Sequence, residues 1–296
     1  LSDTIKLVDY HVHPGYSIDA APVGIDEYCV RAMQIGLAEI CFTPHLEVDE
    51  ARKHLDWFVR CNGRVMPMED LQWLDFYFQE INMAREKFSP RLVIKAGIEV
   101  GYEPGREMYI EKILTGFPFD FVLGSIHCLN HVAISSKKEC AVHFAGKTCA
   151  EVAQDYFTSL EAAVKSRLFD CMAHIDLYRR YGTVYLDRNN IEEMHRGYIE
   201  KIFKYMARHH IGLEINTSGL RRELGDLHPS KAIVQTALQQ GVQIFTTGSD
   251  AHSLSEIGQG LQAAERLLKQ FDLQAATFTG RKPDPQKGWT NLPTLP

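Results

Sequence analysis

Seven times along the chain, a short apolar segment gives way to a stretch with helical periodicity. The apolar segments cover residues 6–13, 39–45, 91–99, 119–127, 169–174, 211–216 and 242–247. The stretches between them cover residues 25–33, 69–88, 106–114, 149–165 and 191–209, one that opens at Pro229-Ser230, and 256–269. In the first, Ile25, Tyr28, Cys29, Ala32 and Met33 recur at i, i+3, i+4, i+7 and i+8, the stripe of a helix with one buried face. Strands that read as unbroken apolar runs belong to parallel sheets covered on both faces. Repeated without a linker, the strand–helix unit predicts one α/β domain, a distorted seven-stranded (β/α)7 TIM-like barrel with one strand fewer than the common eight. The domain is expected to span residues 1–276, followed by a tail, 277–296, rich in proline and polar residues, that serves as a strap or loose end. Residues 46–66 and 128–147 read as long polar loops, of the kind that usually carries function.

In such barrels the C-terminal ends of the strands meet on one face, and active sites sit there. Those ends here are polar in a repeated way: His11 and His13, then His45, Glu99, His127, His174, and finally Asp250 with His252. His11 and His13 share a strand face because alternate side chains do, and Asp19 follows the Pro14-Gly15 break. Only the sixth strand lacks an evident ligand. Imidazoles mixed with carboxylates suit zinc, manganese or iron. The set is too large for one ion, and Glu99 and Asp250 could bridge ions held ~3.5–4 Å apart. His54, His131, His143, His195, His209, His210 and His228 fall elsewhere and read as solvated or capping residues.

Charge and composition narrow the partners. A net charge of -6 argues against a nucleic-acid binder. No apolar run reaches a membrane span, and the N-terminus lacks a basic-then-apolar signal pattern. The seven cysteines include no C-x-x-C pair, so reduced thiols in a cytoplasmic protein are expected.

The ordered motifs Asp9-Tyr10-His11-Val12-His13, Thr43-Pro44-His45, Gly97-Ile98-Glu99, Gly124-Ser125-Ile126-His127, Ala173-His174-Ile175-Asp176 and Gly248-Ser249-Asp250-Ala251-His252 resemble the PHP (polymerase and histidinol phosphatase) superfamily. The likeness runs to about residue 270 and is nearest to the monofunctional histidinol-phosphate phosphatases. It implies a trinuclear centre of divalent transition metals held by His11, His13, Asp19, His45, Glu99, His127, His174, Asp250 and His252. Members carry either His or Asp at the position of Asp19. The resemblance also implies arginines for substrate phosphate. Two pairs follow strands five and six, Arg179-Arg180 and Arg221-Arg222, and guanidinium groups match phosphate oxygens two-pronged. Arg179 and Arg221 are placed ahead of their neighbours, and Glu47 or Glu103 is expected to face the amine or imidazole of the substrate.

The expected reaction is hydrolysis of a phosphomonoester, L-histidinol phosphate, by metal-activated hydroxide. Asp19, His252, Arg179 and Arg221 form the expected catalytic set. Three alternatives stay open: a phosphoesterase acting on a nucleotide or other small phosphomonoester, an amidohydrolase-type metal hydrolase, and a non-catalytic regulatory domain. An aspartyl-nucleophile phosphatase would need Asp-x-Asp after its first strand, which is absent. The expected partner is a small molecule, with neither nucleic acid nor membrane, and self-association as a homo-oligomer is left open.

Overall fold

The computed structural model describes residues 7–222 and 224–284. Seven parallel strands form the barrel: β1 Val8–Val12, β2 Glu39–Phe42, β3 Val93–Gly101, β4 Phe121–Ser125, β5 Cys171–Met172, β6 Gly212–Asn216 and β7 Phe245–Gly248, paired in that order. The circle closes where Asp250 N donates to His11 O at 2.7 Å and His13 N donates to Ala251 O at 2.8 Å. Seven helices cover the outside: α1 Ile25–Gln34, α2 Gln72–Phe88, α3 Glu107–Gly116, α4 Cys149–Ser166, α5 Ile199–Arg208, α6 Lys231–Gln239 and α7 Leu261–Lys269. The expected barrel is therefore present. Among the described residues, no helix is long and apolar enough to cross a membrane.

The apolar residues divide into two layers. The larger lies between strands and helices, and the smaller contains no helix residue: Val8, Tyr10, Cys41, Phe121, Leu123, Cys171, Ala173, Ile244, Ala276 and Phe278 fill the barrel itself. Between Asp9 and Val12, β1 carries one more residue than β2 opposite it. That bulge changes the phase of the strand, so Tyr10 enters the inner core while His11 and His13 reach the mouth.

The beginning of the expected tail is a strap across the other end of the barrel. Phe278 is 1% exposed and packs on Tyr10 and Phe121. Its N–H donates to Tyr10 Oη at 2.8 Å, Lys95 Nζ donates to Thr279 Oγ1 at 2.8 Å, and Arg281 pairs with Asp170 at 2.9 Å. Lys95 and Asp170 stand near strand beginnings, so residues 278–281 plug the end opposite the histidines. The remainder of the tail lies outside the described residues. Phe278→Ala should cost about 3–5 kcal/mol of stability, read by denaturant unfolding, while the donors at the far end keep their positions.

Several boundaries differ from those expected. The stretch 46–66 is not irregular: His45–Glu47 pairs in parallel with β3, and Phe58–Cys61 and Arg64–Pro67 form a hairpin about Asn62-Gly63. Both turn residues have positive φ, +50° and +72°, the conformation an Asn-Gly hairpin turn requires. The single helix expected over 191–209 is broken before α5, where Gly197 takes φ +83°. A short helix, Arg179–Tyr185, was not expected at all. His143, His195 and His228, read as solvated or capping residues, are buried.

Candidate active site

The residues at the mouth of the barrel converge on one carboxylate. Parallel pairing of His45–Glu47 with β3 sets His45 beside Glu99. Glu99 Oε2 lies 3.4 Å from His11 Nε2, 3.5 Å from His13 Nε2 and 2.9 Å from His45 Nδ1. Its Oε1 lies 3.2 Å from His127 Nε2 and 2.9 Å from His174 Nε2. Asp250 Oδ1 is 3.5 Å from His13 Nε2 and 3.4 Å from His252 Nδ1. Asp19 Oδ2 completes the ring, 3.2 Å from His252 Nε2 and 3.5 Å from His45 Nε2. All nine residues expected to hold metal are brought together. Eight of them, all but Asp19, form four overlapping triads of converging donors: His13–His45–His252, His11–His13–Asp250, His11–Glu99–His174 and His45–Glu99–His127.

The donor set fits cations. His11 Nδ1 lies 2.6 Å from Glu214 Oε1, and a carboxylate accepts there, so the proton sits on Nδ1 and the Nε2 lone pair points inward. There it meets His13 Nε2 at 3.0 Å. Among the described residues, Glu99 Oε2 and His45 Nδ1 are buried and, although 2.9 Å apart, make no well-directed hydrogen bond with each other or with any other group. Lone pairs aimed at one another in a buried pocket are costly by themselves, and a shared cation reconciles them.

Electrostatics show the same crowding. Burial pulls His11 toward its neutral form, but Glu214, Glu99 and Asp250 outweigh it and lift its pKa well above the usual imidazole value. Burial, reinforced by His45 and His252, holds His13 well below that value. Burial opposes ionisation of Glu99 and Asp250, yet His11 and the other neighbouring imidazoles hold both carboxyls well below their usual range. Two donors also sit in strained backbone: His174 has φ +23° and Asp250 φ +54°. Each such residue costs on the order of 1–3 kcal/mol. Hydrogen bonds fix both, His174 N to Glu214 Oε2 at 2.9 Å and Asp250 N to His11 O at 2.7 Å.

Glu214 is the residue that sequence reasoning missed. It is 1% exposed in β6, orients His11, accepts from the His174 backbone, and takes a further bond from Asn216 Nδ2 at 3.1 Å. Gly248 makes room for it, because a Cβ there would overlap both Glu214 and His11. A carboxylate within an apolar strand was the available signal. Glu214→Gln should weaken metal affinity about 10- to 100-fold, measured by competition with a chelator.

Above the donors lies a cavity of ≈ 460 Å³ whose lining includes Asp19, His45, Glu99, His127, His174, Asp250 and His252. Arg180, Arg222, Arg52, Asp56, Leu55, Phe58, Met68 and Glu139 also line it. Within each arginine pair it is the neighbour of the residue placed first, Arg180 beside Arg179 and Arg222 beside Arg221, that lines the cavity. Arg179 is buried and held by Asp176 at 2.9 Å, Glu192 at 3.0 Å, Asp226 at 2.9 Å and Leu227 O at 3.2 Å. Its spacing of three from Asp176 on a helical turn turns it away from the mouth. Arg221 donates to Ser249 O at 2.8 Å and Asp250 O at 3.2 Å, so it fastens the Asp250 loop. Their neighbours Arg180 and Arg222 line the cavity.

The expected acidic contacts divide as well. Glu47 lines the cavity and accepts from His127 Nδ1 at 2.8 Å, fitting against Gly101, where a Cβ would overlap it. Glu103 is not in the cavity wall. It lies 3.9 Å from His131, which is itself 2.8 Å from Asp49.

Known proteins match most of the length of the chain. A probable histidinol-phosphatase of Deinococcus radiodurans is 29% identical over 259 residues, 88% of this chain and 92% of that protein. A histidinol-phosphatase of Lactococcus lactis is 27% identical over 286 residues, 96% of this chain and 98% of that protein. In structure, the chain is similar to the Lactococcus lactis histidinol phosphate phosphatase complexed with zinc, L-histidinol and phosphate. The TM-score is 0.77 at 24% identity, covering 95% of this chain and all (100%) of that one. The PHP domain model matches residues 9–218, a span that runs from the first strand past Glu214 and takes in six of the seven barrel strands, and the chain belongs to the PHP domain family.

Proposed function

We infer that this chain is a metal-dependent histidinol-phosphatase, which hydrolyses L-histidinol phosphate to L-histidinol and inorganic phosphate in histidine biosynthesis. The observation that carries the reading is the convergence of eight imidazole and carboxylate residues around a ninth, Glu99, beneath a cavity whose lining includes Arg180 and Arg222. Family membership and relatives named for this activity support it.

In this reading His11, His13, Asp19, His45, Glu99, His127, His174, Asp250 and His252 hold three divalent transition ions, zinc, manganese or iron. Bound ions of this kind acidify water and neutralise phosphoryl oxygens. The chain's own residues do the rest. Glu214 keeps the proton of His11 on Nδ1, and Glu47 does the same for His127, so both rings present Nε2 to the site. Arg180 and Arg222 bind the non-bridging oxygens of the ester, the electrostatic role that dominates phosphoryl transfer. The walls of the barrel mouth hold the phosphorus over Glu99. A cytoplasmic location accords with a biosynthetic role and with seven cysteines that are all free.

Protein loaded with zinc, manganese or iron should release phosphate from L-histidinol phosphate in preference to nucleotides and sugar phosphates. Chelation should abolish the activity and re-addition of metal restore it. Metal analysis should find close to three ions per chain. Full activity in demonstrably metal-free protein, or a strong preference for a nucleotide, would overturn the reading.

A further inference from the structure

The cavity is bipolar. Arg180 and Arg222 follow β5 and β6, whereas Arg52 and Asp56 come from the excursion between β2 and β3, across the mouth of the barrel. Arg52 lines the cavity, but it is not available to an anion. All five of its N–H groups are used: Nε on Asp56 Oδ2, Nη2 on Asp56 Oδ1 at 3.2 Å and Glu139 Oε1 at 3.1 Å, and Nη1 on Glu139 Oε2 at 2.7 Å and His131 O at 3.0 Å. Its side chain is 4% exposed, against 27% for Asp56 and 35% for Glu139. The cation therefore sits behind and the two carboxylates face the cavity, giving this wall a surplus of one negative charge. Arg52 holds both carboxylates in fixed geometry, which lowers the cost of ordering them around a ligand. After accepting from Arg52, both oxygens of Asp56 keep a free lone-pair direction, and Glu139, which also accepts from the Ala133 backbone, keeps one. From the same excursion, Leu55, Phe58 and Met68 supply the cavity with an apolar surface suited to a flat ring.

Resting on the functional reading above, we propose that Asp56 and Glu139 bind the ammonium group of the substrate and select phosphomonoesters that carry an amine. The phosphate end of the ester lies over Glu99 and between the arginines, the ring lies on the apolar wall, and the ammonium reaches the carboxylate pair. No bond changes there. The pair determines specificity and touches the substrate remote from the reacting phosphorus.

The test compares kcat/KM for L-histidinol phosphate with that for 3-(imidazol-4-yl)propyl phosphate, which lacks only the amino group and its branch point. The wild type should favour the amine by on the order of 10- to 100-fold, the range for a hydrogen bond to a charged group. Asp56→Asn and Glu139→Gln should each shrink that ratio, chiefly through KM for the amine-bearing ester. A ratio is insensitive to a general loss of folded protein, and inhibition by L-histidinol against 3-(imidazol-4-yl)propanol reads the same preference without turnover. If both variants keep the wild-type ratio, or the wild type shows none, the pair serves only to hold Arg52 and the proposal fails alone. If the wild type turns over neither ester, the functional reading fails and the proposal with it.

Discussion

Replacing Glu99 with Gln should strip the site of metal and lower kcat/KM by on the order of 10³- to 10⁴-fold, about 4–5 kcal/mol of transition-state stabilisation. The size follows from position. Glu99 is 1% exposed, and its two oxygens approach nitrogens of five different histidines, His11, His13, His45, His127 and His174. No other side chain in the site touches so many, so one substitution removes a shared negative charge from every triad but His13–His45–His252 and His11–His13–Asp250. Gln has nearly the same shape, and its amide turns a donor toward imidazole lone pairs that need a cation. The fold should tolerate the change, because the layers that stabilise the barrel lie elsewhere. Metal analysis, unfolding and steady-state kinetics on one preparation check all three parts. Retained metal with activity within tenfold of wild type would remove Glu99 from the centre of the site.

The barrel was legible in the sequence because burial on both faces leaves little choice of residue. A strand such as β4, Phe121–Ser125, is buried throughout and reads as an unbroken apolar run. The donors were legible for the complementary reason: polar residues recur at the same phase of successive units, where packing alone would place apolar ones. Glu214 escaped because it stands inside its strand rather than at the end, and its task is to orient His11 instead of facing the cavity. The hairpin about Asn62-Gly63 carried its own turn signal within a stretch read only as polar. Arg180 and Arg222, rather than the Arg179 and Arg221 placed ahead of them, line the cavity because adjacent residues on a turn face different ways. Asp176, three residues before Arg179, was the cue to which one would be captured. Burial opposes the charge on Asp176, but His228 and Arg179 hold its pKa down to about 2, so the captured pair stays ionised across the physiological range. The closing strap left no pattern to read, since among its described residues a single large side chain, Phe278, is buried.

The arginine pairs yield a second large effect, with opposite signatures for neighbouring residues. Arg222→Ala and Arg180→Ala should each lower kcat/KM by about 30- to 1000-fold, roughly 2–4 kcal/mol, with metal content and Tm little changed. Both side chains line the cavity. Lys at either position should recover only part of the loss, because an ammonium cannot make the planar two-pronged contact. Arg221→Ala should behave differently. Arg221 holds the carbonyls of Ser249 and Asp250 and stands 3.8 Å from Glu256, whose carboxylate accepts from His252 N at 2.7 Å. Removing it frees the loop that keeps Asp250 at its strained φ of +54°, so metal affinity should fall together with kcat, and added metal should restore part of the rate. Arg179→Ala would instead leave Asp176, Glu192 and Asp226 facing one another without their cation, and its first symptom should be a lower Tm. If added metal rescued Arg222→Ala and left Arg221→Ala unchanged, the roles drawn for these two neighbours would have to be exchanged.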